Sequence, residues 1–388
     1  MHREPLSCLA FVSACVTCGM VAWSGVTLTL PLAAAFPAFW SLAPNRRTAA
    51  MVSAGYFLAA SHGLPQGVAT YFRADLWLGL ALWLAASSAF VLVHALLWSP
   101  RTGWVTAARY VFAMLVTALP PIGILGWAHP ITAAGVLFPG LGWIGLIAMA
   151  AGLALMTTRY RPAAIVTLGS LWLWSAACGT TQYLDHEWRG VDLKLGKHLG
   201  RNRSLQWHRD LFNRVNSISE PGDRVVVLPE SALGLWTPTV ERLWREKLRG
   251  LDITVLAGAA IVDADGYDNV MVSMSATQAR IIYRERMPVP VSMWRPWAKW
   301  AGQQGGARAD MFGNPVVEIA GSRIAPLICY EQLIVWPVLQ SMRHSPDRIV
   351  LIGNGWWTEG TNIVAIQRSS AEAWSRLFAV PITISFNS

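Results

Sequence analysis

The chain has 388 residues, 54% of them hydrophobic and only 14% charged, against about a quarter charged in ordinary soluble proteins, which excludes a wholly soluble, single-domain composition. The formal charge of +9 divides into +6 over Met1 to Leu184, with 8 Lys/Arg against 2 Asp/Glu, and +3 over the remainder, with 23 against 20. The basic excess lies mostly in loops between apolar runs, where orientation in a bilayer accounts for it, and this argues against a nucleic-acid-binding surface.

The first 184 residues read as a polytopic α-helical membrane domain. Punctuation by polar, Pro and Gly residues marks seven apolar segments: 7–22, 26–43, 48–61, 76–98, 105–127, 132–156 and 162–179. The fourth and sixth are long enough to span a hydrocarbon core of about 30 Å unaided, and the third is the weakest of the seven. Arg3, Arg46, Arg47, Arg101, Arg159 and Arg161 fall at the N-terminus and in every second loop. That asymmetry predicts a cytoplasmic N-terminus, and seven crossings then deliver the C-terminal half to the periplasm of a bacterial inner membrane. Membrane lipid is therefore an expected partner. His62, Gln66 and Asp75 stand at segment edges and read as interfacial caps in preference to a proton path. The cysteines, Cys8, Cys15, Cys18, Cys178 and Cys329, show neither a disulfide framework nor zinc-ligand spacing, and no metal or cofactor is implied.

Residues 185–203 form a mixed-charge connector, and 204–388 read as a layered α/β domain. Helical spacing covers Asn202 to Ile218 and a β-branched strand, Asp223 to Leu228, ends in Pro229-Glu230-Ser231. A helix over Thr239 to Leu248 and strands over Ile253 to Gly258, Tyr267 to Ser275 and Ala279 to Tyr283 come next. In the stretch Met287 to Trp300, Trp294, Trp297 and Trp300 accompany Arg295 and Lys299. Indoles suit a membrane interface, with the ring in apolar surroundings and the N–H wet; a folded aromatic cluster under a long loop is the alternative. The next strand runs into Ile324 to Gln332, I-A-P-L-I-C-Y-E-Q. A thiol at a strand end is a candidate nucleophile, although a lone cysteine is more often simply buried. A strand over Arg348 to Ile352, a helix over Ile363 to Phe378 and a strand over Ile382 to Phe386 complete the domain.

The blocks V-V-L-P-E-S-A (226–232), Y-D-N-V (267–270), I-I-Y with the following V-P (281–290), P-L-I-C-Y-E (326–331) and N-G-W-W (354–357) resemble the motifs of the carbon-nitrogen hydrolase (nitrilase) superfamily. Membership implies an α-β-β-α sandwich. Among its members the chain is similar to apolipoprotein N-acyltransferases, which also place the domain after transmembrane helices. The Trp-rich segment further resembles a family of conjugal transfer proteins of tumour-inducing-type plasmids. The resemblance implies Glu230 as general base, Cys329 as nucleophile and the backbone around Tyr330, supported by Glu331, as part of an oxyanion site.

Two departures stand out. Aligning Tyr283 and Val289-Pro290 with the family pattern Y-x-K-x-x-x-V-P puts Glu285 where the lysine belongs and Met293 where a second glutamate belongs. A carboxylate there raises a thiol's pKa and repels an oxyanion. Arg286 is a substitute cation only if the strand slips or bulges, since strand neighbours face opposite sides; a solvated strand-end charge is the other reading. The chain also stops at Ser388 without the family's closing strands and transmembrane helix, so that its last sheet edge is expected to be incomplete or covered by a partner. Two functions stay open. One is an inner-membrane accessory of conjugal transfer, working beside other transfer proteins, with catalysis lost or altered. The other is an acyltransferase carrying an acyl group from phospholipid through a Cys329 thioester to an amine.

Overall fold

The computed structural model describes residues 3–179, 187–196, 204–220, 222–298, 302 and 305–387. The chain divides into two compact units: Met1–Thr181 with Leu333–Trp336 and Gly360–Ala379, and Gln182–Gln332 with Pro337–Glu359 and Val380–Ser388. The helix Ile363–Phe378 groups with the N-terminal unit, which no local feature of its sequence announces.

In the first unit, Leu76–Leu97 is the one helix among the described residues long and apolar enough to cross a membrane. Its 22 residues measure about 33 Å. The sixth apolar segment, expected to span alone, is broken: a single turn, Ala134–Leu137, is followed by Phe138-Pro139-Gly140 before the helix Gly142–Leu155. Proline cannot supply the helical N–H, and Gly140 (φ 76°) and Gly142 (φ 49°) take left-handed backbone. The second segment is likewise split into a 3₁₀ stretch, Thr27–Ala35, and the short helix Phe36–Leu42. The helix of the fifth stops at Ala118, ahead of Pro120-Pro121. Aromatic side chains fill the interior. Trp23 Nε1 donates to Tyr56 Oη at 3.0 Å, and the Tyr56 hydroxyl donates to the Ala128 carbonyl at 3.1 Å. Leu84, Leu96, Ile147 and Leu173 point outward, each at least half exposed.

In the second unit, β1 (Trp188–Gly190), β2 (Val225–Val227), β3 (Thr254–Asp263), β4 (Gly266–Met274) and β5 (Ala279–Arg284) form one sheet in that order. A second sheet follows as β6 (Val317–Ile319), β7 (Ser322–Ile328), β8 (Arg348–Asn354) and β9 (Ile382–Asn387). Val225, Val227, Leu256 and Met271 from the first sheet meet Ile324, Ile328, Val350 and Ile352 from the second in one buried cluster. On the other face of the first sheet, Leu211 and Val215 of the helix Leu205–Ile218 and Val240 and Trp244 of Pro238–Lys247 pack over Val226, Val255 and Val272. The period-2 alternation of β2 and β3 has placed alternate residues in these two layers. The three-residue strands β1 and β6 lack a periodic signal long enough to be seen in sequence, and β1 falls inside the expected connector.

The last sheet edge is covered from within the unit. The Leu193 N–H donates to the Phe386 carbonyl at 2.9 Å, the Phe386 N–H to Asp192 Oδ1 at 2.8 Å, and the Leu195 N–H to Asn387 Oδ1 at 2.7 Å. Residues 191–195 thus satisfy β9 groups that an open edge would leave to solvent.

Candidate functional site

The site gathers at the C-terminal ends of β2, β5, β7 and β8. Glu230 follows β2 in a sharp turn that brings its backbone against β3. A Cβ on Gly258 would lie 2.5 Å from Glu230 Cα and 2.7 Å from the Ser231 nitrogen, so only glycine permits this approach. The turn is held by the Gly258 N–H donating to the Pro229 carbonyl at 3.1 Å, and Ser231 takes φ 60°. Cys329 lies one residue beyond β7 at φ 47°, opening the 3₁₀ turn Cys329–Gln332. Such a left-handed backbone is costly for a side-chain-bearing residue and recurs where one side chain must be aimed.

Asn269 on β4 joins the two carboxylates. Its Nδ2 donates to Glu230 Oε1 at 2.7 Å and to Glu285 Oε2 at 3.1 Å, and its carbonyl accepts from the Glu285 N–H at 2.8 Å. The Cys329 thiol stands against the Glu230 carboxylate and the backbone of Asn354 at the end of β8. The structure therefore brings Cys329, Glu230 and Glu285 together. It places a carboxyl group at the position where the family pattern has a lysine.

Electrostatics follow from burial. Glu230 is pushed up to about 7 by burial, against the pull of Asn269. Glu285 is raised well above the carboxylate range by burial and then by the charges of Glu230 and Glu331. Burial and the two carboxylates hold the Cys329 thiol well above its ordinary value. Two buried carboxyls sharing one amide favour retaining a proton, and a thiol beside them stays neutral.

Arg286 does not replace the lysine. Its side chain is 1% exposed and turned away from the thiol. Nε donates to the Tyr283 hydroxyl at 2.7 Å, Nη1 to Gln340 Oε1 at 2.7 Å, and Nη2 to Ser341 Oγ at 3.0 Å and the Pro337 carbonyl at 3.3 Å. Burial opposes its charge, but Tyr283 and Glu331 more than offset that, and its pKa is raised. Its ionic partner is Glu331, 3.7 Å away. Along the strand end, Arg284 faces outward onto Asp268, Glu285 faces the thiol and Arg286 faces Glu331. The β4–β5 register does shift between Met271 and Val272, opposite Tyr283 and Ile281, yet the partners of Arg286 decide against it as substitute cation.

Glu331 is fully buried and accepts from the Tyr283 hydroxyl and from three backbone N–H groups, those of Ile328, Arg286 and Met287, at 2.7–3.2 Å. It fastens the end of β5 to the turn that carries Cys329, which makes it a positioning residue. Tyr330 is buried beside Cys329 in the same turn. Met293 has its backbone tied to Val289 and Ala307. Of the expected interfacial indoles, Trp297 is 45% exposed, Trp294 is half-buried with its backbone bonded to Val289 and Val291, and Trp300 lies outside the described residues. In the sequence Asn269 stands only as a member of the Y-D-N-V block. A lone amide flanked by strand residues carried the only available signal.

No group of three or more His, Cys, Asp or Glu side chains is arranged to hold a metal ion among the described residues. The sequence profile described as carbon-nitrogen hydrolase matches residues 58–376. A Sinorhizobium fredii protein named "Probable conjugal transfer protein TraB" is 58% identical over the whole of both chains. An Agrobacterium fabrum protein named "Conjugal transfer protein TraB" is also 58% identical, over 96% of this chain and 91% of its own length. The crystal structure of an amidase from Nesterenkonia sp. is 12% identical over 52% of this chain and 74% of that one, at a TM-score of 0.37. With an end-to-end relationship to two proteins and a profile match across most of its length, the chain belongs to the carbon-nitrogen hydrolase (nitrilase) superfamily.

Proposed function

We propose that the chain is a multi-pass inner-membrane component of plasmid conjugal transfer whose nitrilase-type site binds a ligand without thiolate turnover. One observation carries the second half of this reading: Glu285 shares Asn269 with Glu230 beside a thiol that burial and both carboxylates keep neutral. A cysteine acyl-transfer site needs the opposite, a cation that favours thiolate and steadies an oxyanion. The first half is supported by the names of two full-length relatives. The membrane assignment rests on the apolar Leu76–Leu97 helix, the outward aliphatic side chains of the first unit and the alternation of arginine between loops. In this arrangement the N-terminus is cytoplasmic, the second unit is periplasmic, Trp294 and Trp297 meet the interface, and lipid and other transfer proteins are the partners.

The retained pairing of Glu230 with Cys329 favours a second reading, acyl transfer through a Cys329 thioester. Plasmid transfer by cells carrying Cys329→Ala at normal protein level separates the two. Retained transfer is expected; complete loss, or a hydroxylamine-sensitive acyl adduct on Cys329 of the wild type, establishes the second. An alkaline phosphatase fused after Ser388 is expected to be active, and activity of a cytoplasm-only reporter there overturns the topology.

A further inference from the structure

We propose that Glu230 and Glu285 together form a binding site for a primary alkylammonium group, supplied by a ligand and seated where the family pattern has its lysine. This rests on the reading that the site binds and does not turn over. The geometry supplies the acceptors. Glu230 Oε1 and Glu285 Oε2 both accept from Asn269, whereas the remaining oxygens, Glu230 Oε2 and Glu285 Oε1, are buried without a hydrogen-bond partner among the described residues. The two side chains are 5% and 3% exposed. A buried acceptor left unmade is costly, and two of them on neighbouring carboxyls mark a place where N–H donors belong.

Among the described residues, the elements around the pair offer no cation to supply those donors. From β5, Arg284 is engaged by Asp268 and Arg286 by Glu331, Tyr283, Gln340 and Ser341. From the turn after β7 come Cys329 and Glu331, and from β8 the backbone of Asn354. Among the described residues, none of these elements thus presents an unengaged cation to the Glu230–Glu285 pair.

The form of the acceptors selects the class of cation. A metal ion requires several ligands converging at about 2.0–2.6 Å, and no such cluster exists among the described residues. A guanidinium prefers both oxygens of one carboxylate, but each carboxylate here has one oxygen already taken by Asn269. An ammonium carries three separately directed donors and can serve one oxygen on each carboxylate.

The test uses the full chain in phosphatidylcholine nanodiscs and follows iodoacetamide modification of Cys329 by peptide mass at pH 8. Ethylammonium chloride is titrated against tetraethylammonium chloride at matched ionic strength. A bound ammonium that lowers the thiol pKa by one unit raises the modification rate about ten-fold. A saturable rise with ethylammonium, absent with tetraethylammonium and absent in Glu285→Gln, is the expected result. No rise, an equal rise with both salts, or an equal rise in a folded Glu285→Gln overturns the proposal. Should Glu285→Gln fail to fold, the difference between the two salts on the wild type still decides. Replacing phosphatidylcholine by phosphatidylethanolamine assigns the source: a rise without added salt identifies a lipid headgroup, and a rise only with the soluble amine identifies a free one. Transfer by Cys329→Ala is a separate readout in cells, so either claim can fail without the other.

Discussion

Replacing Glu285 by lysine should restore reactivity to Cys329. Asn269 Nδ2 lies 2.7 Å from Glu230 Oε1 and 3.1 Å from Glu285 Oε2, so these two oxygens stand no more than about 6 Å apart. At an effective dielectric of about 20, one unit charge at about 6 Å is worth about 3 kcal/mol, or about two pKa units. An ammonium at position 285 therefore lowers the Glu230 carboxyl by about that amount and acts in the same direction on the adjoining thiol. With the thiol still mostly protonated, its modification rate near neutral pH rises by up to about 100-fold. Iodoacetamide labelling of Cys329 across pH 6–9 in wild type and Glu285→Lys, each checked by circular dichroism, measures this. An unchanged rate in a folded Glu285→Lys would refute the claim that the carboxyl at 285 silences the thiol.

Glu331→Ala leaves the buried Arg286 without its ionic partner and three backbone N–H groups without an acceptor; a loss of about 3–5 kcal/mol is expected in denaturant unfolding. Gly258→Ala forces a Cβ within 2.5 Å of Glu230 Cα and should cost at least about 1–3 kcal/mol in the same measurement while displacing Glu230. Glu230 titrates near 7 when folded, above its ordinary value of 4.5. The native state therefore holds a proton that the unfolded chain has released. Stability should fall as pH rises from about 4.5 to about 7, and thermal unfolding of Glu230→Gln should show a flatter dependence over that window.

Much of the second unit was legible because its signals are local. The β-branched run before Pro229 and the helical spacing ending at Ile218 correspond to β2 and to the helix Leu205–Ile218. The motif blocks also located the elements that bring Glu230, Glu285 and Cys329 together. What escaped depends on distant partners. Asn269 acquires its role only when β2 and β5 end beside β4, and the direction of Arg286 is decided by Glu331, Gln340 and Ser341. In the first unit, composition located the apolar segments but overestimated the continuity of the sixth, where Pro139 and Gly140 outweigh hydrophobic length.

The central claim, that the charge around Cys329 has been turned against thiolate formation, is tested most directly by the pH dependence of Cys329 modification in the full-length wild type without added amine. The account predicts a rate that is still climbing at pH 9. A plateau reached below pH 8, showing a thiol ionised at or below its ordinary value, would contradict it.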